Sequence, residues 1–372
     1  PSISLPAQYY EVTPGNWARD WQPYLQSLAA ANSSGITYAT STFTGGATFT
    51  GNGWTGGVFA PDGNIYFSPA YAPNILRLTV ATGQTTNITG GAAYTAVGWY
   101  DGNVLGPDGN IYSSPYVSAN SLRLNVATGV TSNITGGGTF TSSGWRGGVL
   151  GPDGNIYFAP WNATNILKLT VATGLMTNIT GGATYTANGW ISGVLGPDGN
   201  IYFAPHSAPN ILKLNVATGQ TTNITGGATY TANGWYGGAL GPDGNIYFTP
   251  HVALNILKLN VATGQTTNIT GGATFVGAGG GWNGATVGPD GNIYFCPYAA
   301  LNILQLNVST GVTSNIFAGA TYTSAGWHGG VLATDGNIYF APFGSASVLK
   351  LTFTGLKQLP SSNYCLTTWN KF

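Results

Sequence analysis

Seven copies of one hexapeptide bound what this chain can become. The run PDGNIY, TDGNIY in its last copy, is centred on Asp62, Asp108, Asp153, Asp198, Asp243, Asp290 and Asp335, at separations of 46, 45, 45, 45, 47 and 45 residues. A tryptophan precedes each copy: Trp54, Trp99, Trp145, Trp190, Trp235, Trp282 and Trp327. A period near 45 made of short strand-like pieces fits a propeller rather than a helical solenoid. The 372 residues therefore belong mainly to one repeating body, not to two or three unrelated domains.

Residues 226–270, GGATYTANGWYGGALGPDGNIYFTPHVALNILKLNVATGQTTNIT, show how one unit is built. A glycine-rich first strand over 236–241 suits an inner position where backbones crowd an axis. Pro242-Asp243-Gly244 forms a tight turn: proline presets φ, aspartate bonds back to its own backbone, and glycine takes the positive φ. A second strand over 245–249 sets Ile246 and Phe248 against Tyr247. A third over 255–261 sets Leu257, Leu259 and Val261 against Ile256, Lys258 and Asn260. Ala262-Thr263-Gly264 then turns the chain into TTNIT, a polar strand fit for an exposed outer edge. The sequence thus predicts an all-β fold, a seven-bladed β-propeller of four-stranded antiparallel blades.

The last unit predicts strands at 328–333, 337–342 and 347–353, then reads GLKQLPSS where a polar edge strand is due. The segment TSTFTGGATFTGNGW at 40–54 matches the end of a unit, so an N-terminal outer strand is expected to complete the last blade and close the ring. This divides the chain into an extension at 1–34, a propeller at 35–356 and a tail at 357–372. In the extension, Trp17, Trp21, Tyr24, Leu25 and Leu28 recur at helical spacing. They predict a short helix that either packs on the propeller or docks another protein.

Composition removes several function classes. Charged residues make up 5% of the chain and the formal charge is zero, against about 25% charged in an ordinary soluble domain. No basic stripe exists to displace the counterions of a nucleic acid. No run approaches the roughly 20 apolar residues of a helical membrane span. A surface of Thr, Asn, Ser and Gly repels its neighbours weakly and suits an assembly. The start, Pro1-Ser2, fits cytosolic removal of an initiator methionine or a trimmed precursor. Cys296 falls where other units carry Ser, Ala or Thr and reads as a small core residue; a pairing with Cys365 does not follow from spacing.

The signature GGALGPDGNIYF resembles the NHL-repeat, gluconolactonase and virginiamycin B lyase group of propellers, over roughly residues 40–353. The resemblance implies the propeller fold. In that group it also implies Glu, His, Asp or Asn side chains around the axis, often on a metal, but no such residue transfers here. The single glutamate, Glu11, lies outside the repeats, and outside the seven turns only Asp20 and Asp101 remain as aspartates. Hydrolytic or lyase chemistry asks for paired carboxylates, an oriented base or several metal ligands. His206, His251 and His328 are the only histidines, and they would meet only if they lay close to the axis. The expectation is a non-enzymatic protein with no cofactor and no metal.

In this topology the loops entering the inner strands and those joining second to third strands open on one face. Two rings of residues are expected there. One follows the proline ending each second strand: Ala70, Tyr116, Trp161, His206, His251, Tyr298 and Phe343. The other follows each tryptophan and includes Tyr100, Arg146, Tyr236, Asn283 and His328. Flat rings flanked by Asn and Thr suit neutral sugars, whose C–H groups stack while their hydroxyls find amides; packing of the loops alone is the competing account. The tryptophans themselves read as wedges between blades, a structural ring. Arg77, Arg123, Lys168, Lys213, Lys258 and Lys350 read as stems covering apolar surface with wet charges. NIT runs at Asn87, Asn133, Asn178, Asn223 and Asn268 match glycosylation acceptors formally, though a repeated polar edge explains them equally.

The functional expectation is a display protein of a multi-subunit surface assembly, a virion or a cell surface, made in the cytoplasm. It would hold other structural subunits by its extension or tail, and contact neither nucleic acid nor membrane interior. The ending TTWNKF resembles the ends of phage structural proteins. The alternatives are a lectin-like propeller for neutral glycans and a lyase- or lactonase-like enzyme.

Overall fold

Each unit folds as its turn chemistry dictates. In the fifth, the Asp243 carboxylate accepts from Asn245 N at 3.2 Å, Asn245 Nδ2 at 2.6 Å and Tyr247 Oη at 2.8 Å, and Gly244 takes φ 79°. The turn and the first residues of the second strand are thereby fixed by one side chain. A computed structural model of the protein describes residues 35–94, 97–277 and 279–356; the predicted helix with Trp17, Trp21, Tyr24, Leu25 and Leu28, the tail, and Cys365 lie outside them.

The described residues form seven four-stranded antiparallel sheets arranged as the blades of a propeller. Blades are numbered here by their tryptophans, Trp54 opening blade 1 and Trp327 blade 7. Blade 5 consists of Trp235–Leu240, Ile246–Pro250, Ile256–Leu259 and Thr266–Ile269. Its third strand is shorter than the alternation predicts. Asn260 leaves the ladder to shape the next turn, its Oδ1 accepting from Thr263 N at 3.0 Å, so Val261 sits beyond the strand. The second strand is buried along its whole length, because neighbouring blades cover both of its faces and alternation has no solvent side to mark.

Closure takes the expected route. Thr37–Phe43 pairs antiparallel with Val348–Thr354 over seven residues, from Thr37 opposite Thr354 to Phe43 opposite Val348. This supplies the outer strand of blade 7. The same strand bridges the seam to blade 6: the Tyr38 hydroxyl accepts from Gln305 Nε2 at 2.7 Å and from Tyr294 Oη at 3.2 Å.

Around the axis the inner strands meet backbone to backbone. A methyl on Gly329 would stand 2.8 Å from Gly56 Cα, and one on Gly284 2.9 Å from Gly329 Cα. Both glycines also hold positive φ, 81° and 85°, at a bulge in each inner strand. Larger residues would push the blades apart. Outward from that centre, aromatic and aliphatic side chains fill the seams; Trp235, Phe248, Leu257 and their counterparts are fully buried.

Candidate functional site

The bulge turns the residue after each tryptophan toward the axis. Thr55, Tyr100, Arg146, Ile191, Tyr236, Asn283 and His328 hold this place in blades 1 to 7. Above them lies the residue after each second-strand proline. The structure brings the two rings together as a continuous rosette. Tyr116 packs on Tyr100 at 5.6 Å between ring centroids, Tyr100 on Phe343 at 6.1 Å, and Phe343 on Tyr298 at 5.9 Å. Tyr298 meets His251 at 5.9 Å, His251 meets His206 at 5.9 Å, and His206 meets Trp161 at 4.8 Å. Arg146 closes the circle, its guanidinium 4.6 Å from Trp161 and 5.4 Å from Tyr116. Tyr236 and His328 lie inside the circle, 4.9 Å apart. Ala70, the blade 1 member, is buried and adds no ring.

Beneath the rosette sits a group that the sequence reading left unassigned. Asp101 is fully enclosed, its Oδ2 accepting from Arg146 Nε at 2.5 Å and its Oδ1 from Tyr236 Oη at 2.6 Å. His328 Nε2 stands 3.3 Å from Oδ1, and Arg146 Nη2 donates to Tyr236 Oη. Four blades thus meet at one carboxylate. The sequence did carry a signal: Trp99 precedes its turn aspartate by nine residues, where the other tryptophans precede theirs by eight. Blade 2 lengthens its inner strand by one residue, and Asp101 occupies the bulge at φ 65°.

A second departure accompanies the first. Five blades place a glycine opposite a second-strand phenylalanine, as Gly148 opposes Phe158, where an added methyl would stand 2.9 Å from the ring. Blade 2 has Asn103 opposite Ser113. Losing the phenyl ring makes room for the amide, which donates to Tyr66 O at 3.0 Å and accepts from Ser113 Oγ at 2.7 Å.

The electrostatics of the cluster follow from enclosure. Burial pushes the Asp101 carboxyl up while Arg146 and Tyr236 pull it back. Burial also works against the Arg146 charge, but Asp101 outweighs it and holds the guanidinium protonated. The two form an ion pair whose charges cancel. Burial, with Arg146 nearby, drives His328 well below its ordinary value and keeps it neutral. His206 falls to about 3, again through burial, with His251 and Arg146 adding to it.

The remaining sequence candidates fall elsewhere. The seven tryptophans are buried in the seams, each indole donating to the backbone oxygen just before the third strand, as Trp235 Nε1 does to Asn255 O at 3.0 Å. Third-strand lysines reach back to the turn aspartates, Lys168 to Asp153 at 3.2 Å and Lys258 to Asp243 at 3.6 Å. Asn87, Asn178 and Asn223 of the NIT runs donate their amides to Thr48 O, Thr139 O and Thr184 O, tying edge strands to the loops. Cys296 is buried, which raises its thiol pKa. Among the described residues no three His, Cys, Asp or Glu are grouped to hold a metal ion.

No family model and no curated relative matches the chain. Solved structures do. A streptogramin B lyase superposes with TM-score 0.71 at 19% identity, covering 85% of this chain and 98% of that one. A catalytically inactive virginiamycin B lyase from Staphylococcus aureus, solved with quinupristin, gives 0.69 at 18%, covering 85% and 99%. The extracellular domain of a hybrid two-component system from B. thetaiotaomicron gives 0.62 at 11%, covering 85% and 42%. At these identities the likeness is one of fold. The chain is a seven-bladed β-propeller with lyases and extracellular domains among its structural neighbours.

Proposed function

We propose that the protein is a non-enzymatic binding propeller that presents its rosette face to neutral glycans, as a subunit of a surface assembly such as a virion. One observation carries this reading: charge is confined to the other face. Every charged side chain among the described residues lies in a PDG or TDG turn or on a third strand, except Arg146, which closes the circle of rings, and Asp101, which neutralises it from beneath. What faces outward on the axis is aromatic and, with Arg146 paired to Asp101, without net charge, the kind of surface on which sugar C–H groups stack. The Asp101 oxygens are already engaged by Arg146 and Tyr236, which argues against that carboxylate serving as a base in turnover. The virion part of the reading rests on the sequence alone.

The test is a glycan array read with the wild-type protein and with Tyr116→Ala and Tyr298→Ala, two partly exposed members of the rosette. Binding to neutral glycans that both substitutions weaken at least tenfold supports the proposal. Silence across neutral glycans sinks it. A lyase reading draws on His328 and Tyr236 converging on one buried carboxylate. Turnover of quinupristin by the wild type, abolished by His328→Ala, would replace the binding reading.

A further inference from the structure

The corners of the turn face are not equally open. Asp62, Asp108, Asp153, Asp198 and Asp335 are exposed, Asp243 is half-buried and Asp290 is buried. The residue before each aspartate follows the same course: Pro61 and Pro107 are exposed, Pro152, Pro197 and Thr334 half-buried, and Pro242 and Pro289 buried. Seven near-identical corners would share one exposure if all stood bare, so those of blades 6 and 5 lie under cover.

Charge changes at the same place. Blades 3, 4, 5 and 7 send a third-strand lysine to the corner aspartate, and blades 1 and 2 carry Arg77 and Arg123 there. Blade 6 carries Gln305, whose Nε2 donates to Tyr38 Oη at 2.7 Å and Tyr294 Oη at 3.0 Å, and whose Oε1 accepts from Ser314 Oγ at 2.8 Å. A segment crossing blade 6 therefore meets no exposed ion pair, whose burial would be costly. The route of the chain points the same way. Read backward from the rim of blade 7, the clasp strand passes Thr40, brings Tyr38 onto blade 6 and reaches Gly35. The cover continues in that direction, past blade 6 to Pro242 of blade 5.

We infer that the corners of blades 6 and 5 are a docking surface for residues 1–34 of this same chain, with the stripe Trp17, Trp21, Tyr24, Leu25 and Leu28 laid against them. The occupant suits the surface: residues 1–34 carry only three charges, Glu11, Arg19 and Asp20, and an apolar stripe packs where no ion pair must be stripped of water. Residues 29–34 join the stripe to Gly35 and, at about 20 Å when extended, keep it near the corner that Tyr38 reaches. The tail is the competing occupant, since Gly355 lies against Gly35, where an added methyl would stand 2.5 Å from Gly35 O. The surface lies on the opposite face from the rosette and does not depend on the glycan reading.

Limited trypsin digestion and amide hydrogen exchange of the full chain test this. Arg19 is the only lysine or arginine in residues 1–34; in the wild type its peptide bond should be cut at least tenfold more slowly than in a free peptide of that segment. Gln305→Lys restores the residue of four other blades, sets a charge under the stripe, and should speed the cut at least tenfold while the unfolding transition is retained. Trp17→Ser combined with Trp21→Ser, both outside the propeller body, should raise exchange at corners 241–245 and 288–292 at least fivefold and leave 106–110 and 151–155 unchanged. Cutting of wild-type Arg19 at the rate of the free peptide would overturn the inference. So would corner exchange indifferent to the tryptophan substitutions, which would hand the cover to the tail, or protection that fades on dilution, which would make the extension a grip on a second copy.

Discussion

The two faces of the disc are made by the same seven repeats, yet they treat their carboxylates in opposite ways. On the turn face one solution is copied seven times: an aspartate at the corner accepts from the asparagine and tyrosine that follow it. On the rosette face a single aspartate, Asp101, appears in one blade and is shared among four. The copied solution is local, complete within five residues, and survives repetition because it asks nothing of its neighbours. The single one exists only because seven strands converge, so that side chains far apart in sequence share one space. Shape comes from the uniform face, and individuality from the other.

Breaking the shared carboxylate should have the largest effect. Arg146→Met leaves Asp101 enclosed without its cation and should cost about 3–5 kcal/mol in urea unfolding; a cost below about 1 kcal/mol would show that the pair is not the keystone its geometry suggests. Removing a copied corner should cost less. Asp243→Ala strips the acceptor from two donors of Asn245 and from Tyr247, and should cost about 1–3 kcal/mol, with similar values at Asp153 and Asp198.

Blade 6 sharpens the comparison through pH. Burial opposes the charge of Asp153, but hydrogen bonds from Asn155 and Tyr157, and Lys168, bring its pKa below the ordinary value. Burial raises that of Asp290, where Gln305 stands in place of a lysine. A carboxyl lowered by folding contributes stability above its unfolded pKa, and this is lost as pH falls through the folded value. A raised one contributes below its unfolded pKa, and this is lost as pH rises through the folded value. Urea unfolding between pH 3 and 7 should therefore show the deficit of Asp153→Asn shrinking toward acid and that of Asp290→Asn growing toward acid. Parallel profiles would mean that the two corners are electrostatically alike. The smallest effect belongs to the exposed pairs: Lys258→Met, across 3.6 Å, should change stability by less than about 1 kcal/mol, and by still less in high salt.

The sequence made the uniform face legible because its causes are local. Pro242-Asp243-Gly244 announces a turn, and the spacing repeats it around a circle. The rosette was legible as a set of positions: Tyr116, Trp161, His206, His251, Tyr298 and Phe343 follow a proline at a fixed place in each unit, and topology puts that place beside the axis. Asp101 was not legible as a centre. Its partners Arg146, Tyr236 and His328 come from three other blades, and the one-residue lengthening that admits it looks like ordinary scatter in a repeat spacing of 45 to 47. The distinct setting of Asp290 was equally hidden, since part of it comes from Tyr38, which bonds Tyr294 from 256 residues away.

The clasp has a consequence for how the molecule is made. Thr37 and Thr354, which hydrogen-bond in the finished seam, are 317 residues apart. At ribosomal speeds the earlier segment waits roughly 15–60 s for its mate. Throughout that interval it is an unclaimed edge, available to any matching segment on a sister polypeptide. A latch left open that long can be shut by its own chain or by a sister polypeptide emerging on the same polysome.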